Sequence, residues 1–368
     1  MYNKLFQLKS TLLLVVLSLH FTCLSQKDET KIDIDNFDVS TISISFPDEK
    51  IKLPIPVTSI QVYDSRFDTS CLGIIKNGVS SRLRLLKSRR NLRHELKAFY
   101  THLADPILKD SVDVELCCFV KKLILSDHIV TDINEGQKLS AKKYDMEENG
   151  GLLFMVEFYA GVNNYYIPLC RFDTILAGDK NIVKGGDRYL QDALKASLHK
   201  IATVNWEKTI SKNKKLSREK ISEYNNTRFN LAILNSHPTK GIYRNFEDFK
   251  NNTPLPIEYT LDKNKTGDFL YVKNEKGEDT LYMNLWGYSD GKDMFIFSAS
   301  NFFKLHRSHN GFKIYGAKDF TSKRNLRANF GLIDLVSPNS NYSKSQTRSK
   351  YYLIKSFFIL DMETGELY

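Results

Sequence analysis

The stretch Ser59-Ile60-Gln61-Val62-Tyr63-Asp64-Ser65-Arg66-Phe67-Asp68-Thr69-Ser70-Cys71-Leu72-Gly73 decides the fold. An apolar strand centred on Ile60 and Val62 runs straight into a charged turn that closes on a glycine, so residues 60–62 form the first core strand of an α+β domain. Asp64, Arg66 and Asp68 follow at alternate positions. Two carboxylates this close could act as acid and base, or as part of a metal site. No third carboxylate or histidine stands at a suitable spacing, and the pattern points instead to turn hydrogen bonds and an ion pair with Arg66. Gly73 ends the excursion at a backbone position that only glycine fits well.

A strand ending in Asp64-Ser65-Arg66, followed by Leu72-Gly73 and then a helix, resembles the opening of the YajG-like family of small bacterial envelope lipoproteins. The resemblance covers residues 62–73 and the later order of elements. It implies an envelope protein built as a sandwich of sheet and helices, and it transfers no catalytic residue.

Upstream, alternation over 41–46 predicts a half-buried strand, and Pro54 and Pro56 are expected to break the chain before the strand at Ile60. Downstream, residues 76–97 hold eight basic side chains against the single acid Glu95. Leu92, Leu96, Phe99, Tyr100, Leu103 and Leu108 recur at helical spacing, which predicts an amphipathic helix ending near Asp105-Pro106 with basic residues partly on its outer face. Arg89, Arg90 and Arg93 are the candidates for an anion-binding surface, against the plainer alternative of a solvated face.

Residues 112–125, 151–160 and 165–172 predict three antiparallel strands, and 188–204 predicts a helix with Leu190, Ala193, Leu194, Ser197, Leu198 and Ile201 on one apolar face. His199 lies near that stripe and is expected to be a packed or surface residue. The spaced glycines of 178–186 lack the Gly-Lys-Ser/Thr ending of a phosphate loop and predict a turn.

Residues 206–226 are rich in Lys, Ser, Glu and Asn, which places a boundary or linker over 206–239. Beyond it, Asn245 caps a short helix over 246–250 that Pro254 stops, with Phe246 and Phe249 packing on a sheet. Strands are expected over 257–261, 269–273, 280–288, 293–298, 302–307, 311–316 and within 350–361. Trp286 and Tyr288 are aromatic binding candidates, because such rings offer an apolar face with a polar tip. Core packing is the simpler account of Trp286. His306 and His309 are three apart without a third ligand, so neither a metal nor a cofactor is expected.

The fold class is therefore α+β: an antiparallel sheet packed by two helices over 39–205, then a mainly antiparallel β domain with one short helix over 240–368. At the start, Lys4 and Lys9 precede an apolar run over 11–19, and Cys23 and Ser25 stand at minus three and minus one of a cut before Gln26. This predicts a signal peptide over 1–25 and a flexible lead over 26–38. The run is far shorter than the roughly 20 residues that span a bilayer. Lipidation at Cys23 is the alternative, although His20-Phe21-Thr22 departs from the residues that usually precede a lipidated cysteine. The expected address is periplasmic, outer-membrane associated or secreted.

Losing Lys4 and Lys9 lowers the formal charge from +10 to +8, so the exported chain is still basic and suited to anionic partners. Cys71, Cys117, Cys118 and Cys170 would remain; three pairings are open to them, and small buried thiols are expected in preference to a disulfide. Export and the lack of a binding motif argue against nucleic acid. No Gly-x-Ser-x-Gly elbow and no His-Glu-x-x-His occurs. The expectation is a non-enzymatic envelope protein that binds a protein, a glycan or an anionic surface. The alternative is an extracytoplasmic glycan or peptide hydrolase with a site assembled from distant residues.

Overall fold

Three long strands, two of them buried along nearly their whole length, organise the first half of the chain. The computed structural model describes residues 37–77, 82–107, 114–127, 150–178, 182–264, 267–298, 300–317 and 355–368. The expected signal peptide, most of the flexible lead and the apolar run over 330–336 lie outside the described residues. In order come β1 (Asp38–Ile42), β2 (Ile51–Val57), β3 (Ser59–Asp64), β4 (Gly73–Asn77), β5 (Arg82–Ser88), α1 (Leu92–Leu103), β6 (Ala104–Ile107), β7 (Val114–Ser126), β8 (Gly150–Val162), β9 (Tyr165–Gly178) and α2 (Ile182–Ala202). Three further helices, α3 (Trp206–Lys212), α4 (Arg218–Thr227) and α5 (Ala232–Asn235), with the short β10 (Leu216–Ser217) between the first two, fill the segment expected to be a linker.

The central sheet has the order β10-β9-β8-β7-β3. Strands β7, β8 and β9 pair antiparallel, as expected, while β3 joins β7 in parallel, with Ile60 opposite Leu116 and Val62 opposite Cys118. The parallel pair follows from the connection: between β3 and β7 the chain crosses over through a hairpin and a helix. Neighbouring residues of β7 point to opposite faces. Leu116, Cys118 and Val120 enter the main core, and Cys117 and Phe119 enter a separate cluster on the other face.

Helices α1 and α2 cover the main-core face. α1 buries Leu92, Leu96, Phe99, Tyr100 and Leu103, and its Tyr100 hydroxyl meets the Ser197 hydroxyl of α2 at 2.8 Å inside the core. Each such large apolar side chain contributes about 1.5–3 kcal/mol by leaving water.

Several expectations for this half are corrected. Pro54 and Pro56 do not break the chain; they lie inside β2, which among the described residues pairs only with β6, and the register shifts between Lys52 and Val57. A two-stranded ribbon tolerates proline because few of its N–H groups are needed for pairing. The early strand occupies 38–42 rather than 41–46. The basic run is not mainly helical: Arg82, Arg84 and Lys87 belong to β5, which forms an antiparallel hairpin with β4. Helix α2 begins at Ile182, so Gly185 and Gly186 lie within it rather than in a turn. A Cβ on Gly186 would stand 2.8 Å from the Ile42 side chain, so close packing against the neighbouring strand outweighs glycine's poor helix propensity.

The second half adds β11 (Gly241–Tyr243), α6 (Phe246–Lys250), β12 (Tyr259–Asn264), β13 (Gly267–Lys273), β14 (Asp279–Leu281), β15 (Gly287–Ser289), β16 (Met294–Ser298), β17 (Asn301–Ser308), β18 (Gly311–Ala317) and β19 (Lys355–Leu360). Asn245 caps α6 by accepting the Asp248 N–H at 2.9 Å, and Phe249 is buried beneath it. Six strands form an antiparallel sheet in the order β11-β15-β16-β17-β18-β19, and β12-β13-β14 form a smaller one. The single strand expected over 280–288 is two strands in different sheets, because the chain crosses between the sheets at 282–286.

Val39–Tyr368 form one compact unit, and the loop 65–72 is what clasps its halves. Phe67 packs against the second core and meets Phe229 edge-on at 5.1 Å. Asp68 pairs with Lys313 of β18 at 2.9 Å, with the two side chains 9% and 4% exposed. Asp68 also accepts hydrogen bonds from Ser308 at 3.0 Å and from the Ser70 N–H at 2.8 Å. Beside it, Lys122 reaches Asp361 at 2.5 Å and Glu363 at 3.0 Å. Arg228 donates to Glu363 at 3.0 Å and to the Ser65 carbonyl at 2.9 Å.

Removing one partner of such a buried pair leaves an uncompensated charge. Lys313→Ala should therefore destabilise the fold by about 3–5 kcal/mol, measured by urea unfolding. Burial alone would raise the Asp68 carboxyl, but Lys313 and the Ser70 donors outweigh it and hold the group below its ordinary value. A depressed folded pKa contributes stability above the unfolded value and loses it as pH falls through the folded one. Stability should thus fall below about pH 4, and Asp68→Asn should flatten that acid limb while lowering the plateau above it.

Candidate anion-binding cleft

The face of the central sheet turned away from α1 and α2 carries aromatic side chains. Tyr63 of β3 stacks on Phe119 of β7, centroids 4.5 Å apart, and Phe119 meets Tyr159 at 5.2 Å and Tyr166 at 6.1 Å. Burial, then a hydrogen bond with Tyr166, raises the Tyr63 phenol above its ordinary value. Helix α4 closes part of this face. Its Ile221 joins the aromatic cluster, and its Asn225 accepts a hydrogen bond from the buried Lys121. Lys121 also pairs with Glu157 at 3.3 Å and lies 4.7 Å from the Tyr224 ring centre. Burial and the nearby Arg228 lower its pKa, against Glu157.

Between α4, the loop 64–72 and the turn from β5 into α1 lies a cleft of about 800 Å³. Lys87, Arg90 and Arg93 line it from the β5–α1 side and Arg218 from α4. None of the four pairs with a carboxylate among the described residues, and all four are exposed. The Arg93 guanidinium lies 5.5 Å from the Tyr63 ring centre, a cation–π contact that holds it at the mouth before any ligand arrives. The first turn of α1, with Asn91 as its cap, also lines the cleft and adds the positive end of a helix.

Asp64 and Arg66 stand at the cleft's edge in the arrangement expected from their spacing. The Arg66 Nε and Nη2 groups donate to the two Asp64 oxygens, each at 2.8 Å, and Nη1 donates to the Cys71 carbonyl at 2.9 Å. A carboxylate clamped in this way fixes the turn and is poorly placed for proton transfer. Gly73 is required by close approach rather than by its dihedral angles, since a Cβ there would overlap the Leu125 carbonyl.

The structure separates the three candidate arginines. Arg90 and Arg93 line the cleft, whereas Arg89, whose backbone N–H donates to the Ile42 carbonyl at 2.8 Å, does not. Arg218 was hidden by the linker-like composition around it; the signal was Ser217, a helix cap that accepts the Lys220 N–H, with Ile221 one turn on. The aromatic candidates behave otherwise. Tyr288 is buried and stacks on Phe295 at 4.6 Å. Trp286 packs on Phe249 at 4.5 Å and on Phe246 at 5.5 Å, which favours the core-packing account.

His199 is exposed and 3.3 Å from Glu49. His306 lies on β17 and His309 in the following turn. Among the described residues no group of three or more metal-ligating side chains is assembled, and no helix is long and apolar enough to cross a membrane.

The four cysteines among the described residues are free thiols; Cys71, Cys117 and Cys118 are buried and Cys170 is half-buried. Burial pushes the Cys117 thiol up to about 12 and Cys170 up to about 11. Alkylation at pH 8 followed by peptide mapping should label Cys170 slowly and leave the other three unmodified until the protein is unfolded. Rapid labelling of Cys117 in the folded protein would contradict this packing.

No family model matches the chain, and no curated protein does. Among solved structures, the crystal structure of a Xanthomonas campestris protein described under the family model DUF330 is similar over 45% of this chain and 91% of that one, with 8% sequence identity and a TM-score of 0.26.

Proposed function

We propose that the protein is an exported, non-enzymatic binding protein of the cell envelope whose basic cleft takes an anionic partner. One observation carries this reading: four exposed cations that form no salt bridge with a carboxylate among the described residues, supplied by β5, the β5–α1 turn, α1 and α4, surround a single cleft. Like charges gathered in this way repel one another, so an arriving anion relieves a cost already built into the fold. The carboxylate that lines the cleft, Asp64, is occupied by Arg66, which favours holding a ligand over acid–base turnover. The leader-like start and the resemblance of residues 62–73 to envelope lipoproteins support the address.

Pyrophosphate is a simple probe of the charge alone. In calorimetric titration the wild type should bind it, and the Arg90→Gln/Arg93→Gln variant should bind about ten-fold or more weakly, a difference of about 1.4 kcal/mol. Arg89→Gln should match the wild type. Rising salt should weaken the interaction, because the four cations are exposed. Equal affinity in all three proteins would remove the cleft as the site.

A further inference from the structure

A bare anion accounts for only part of the cleft. Its cations stand beside groups that a small inorganic anion would not need. The Asp64 carboxylate, which Arg66 holds in place, is 20% exposed and lines the cleft. It repels an anion yet can accept a hydrogen bond from a hydroxyl. On α4, the exposed Ser222 and Asn226 add a hydroxyl and an amide. Below them, Tyr166 offers half-buried ring surface, against which the C–H face of a sugar ring packs. The volume of about 800 Å³ suits a small organic molecule.

From this division we propose that the cleft takes a phosphorylated sugar, either free or as the headgroup of a glycolipid. The proposal rests on the reading of the cleft as an anion site and adds the chemistry of the ligand. The phosphate lies among Lys87, Arg90, Arg93 and Arg218 at the first turn of α1, and the sugar hydroxyls face Asp64, Ser222 and Asn226. A phosphate monoester suits the cationic end better than a carboxylate does. It carries close to two negative charges and three acceptor oxygens, and arginine forks bind such oxygens in pairs.

The test is a calorimetric titration of the purified protein with glucose 1-phosphate, inorganic phosphate and glucuronate. Glucose 1-phosphate should bind about ten-fold more tightly than either of the others. The Ser222→Ala/Asn226→Ala variant alters only exposed helix positions; it should lose most of that advantage while keeping its affinity for inorganic phosphate. Vesicles carrying a phosphorylated glycolipid form the second arm. Competition with glucose 1-phosphate would assign the headgroup as the source, and failure to compete would assign the free sugar phosphate.

If inorganic phosphate or glucuronate matches glucose 1-phosphate, or if the double variant retains the full advantage, the sugar-phosphate assignment is overturned while the anion site stands. If pyrophosphate does not bind either, the anion site itself falls.

Discussion

The buried pair between Asp68 and Lys313 is the constraint on which the rest depends. A charge pair taken out of water gains little net stability, because desolvation offsets much of the attraction. What it imposes here is position. Asp68 satisfies Lys313, Ser308 and Ser70 at once only when the loop 65–72 lies in one place against β18. Phe67 then enters the second core, and Arg228 can reach the Ser65 carbonyl and Glu363 together. The charged seam thus fixes how the loop lies against β17 and β18.

That seam also shapes the cleft. One wall is the loop itself, through Asp64, Arg66, Thr69 and Ser70. The opposite wall is α4, whose position is fixed by Lys121 beneath it and by Arg228 just beyond its end. Both walls are therefore tied to buried charge, and Arg218 on α4 is presented from a rigid support, facing Lys87, Arg90 and Arg93 on the β5–α1 side. Binding then needs little reorganisation, which lowers its entropic cost. The proposed ligand meets a cavity formed by folding rather than one it must open.

How much of this was legible in the sequence depended on whether the cause was local. The caps and spacing around Leu92, Leu96 and Phe99 gave α1, and Asn245 with Phe249 gave α6, because a helix writes its own period. The pairing of Asp64 with Arg66 followed from two positions on one strand end. The failures arose where distant residues decide. Gly185 and Gly186 look like a turn until Ile42 is packed against them. Pro54 and Pro56 look like breaks until the strand is known to pair on one side only. Within the site, Arg90 and Arg93 were visible as part of a charge run, but nothing local distinguished them from Arg89. Arg218 and the aromatic floor belong to the cleft only through the placement of α4 across Phe119 and Tyr166.

The most direct measurement of the central claim is hydrogen–deuterium exchange of the intact protein with and without glucose 1-phosphate. The account predicts added protection in two separated segments, residues 87–94 around the start of α1 and residues 218–226 of α4, with little change in the six-stranded sheet. Protection confined to that sheet, or no protection at either wall under conditions where the ligand is bound, would contradict it.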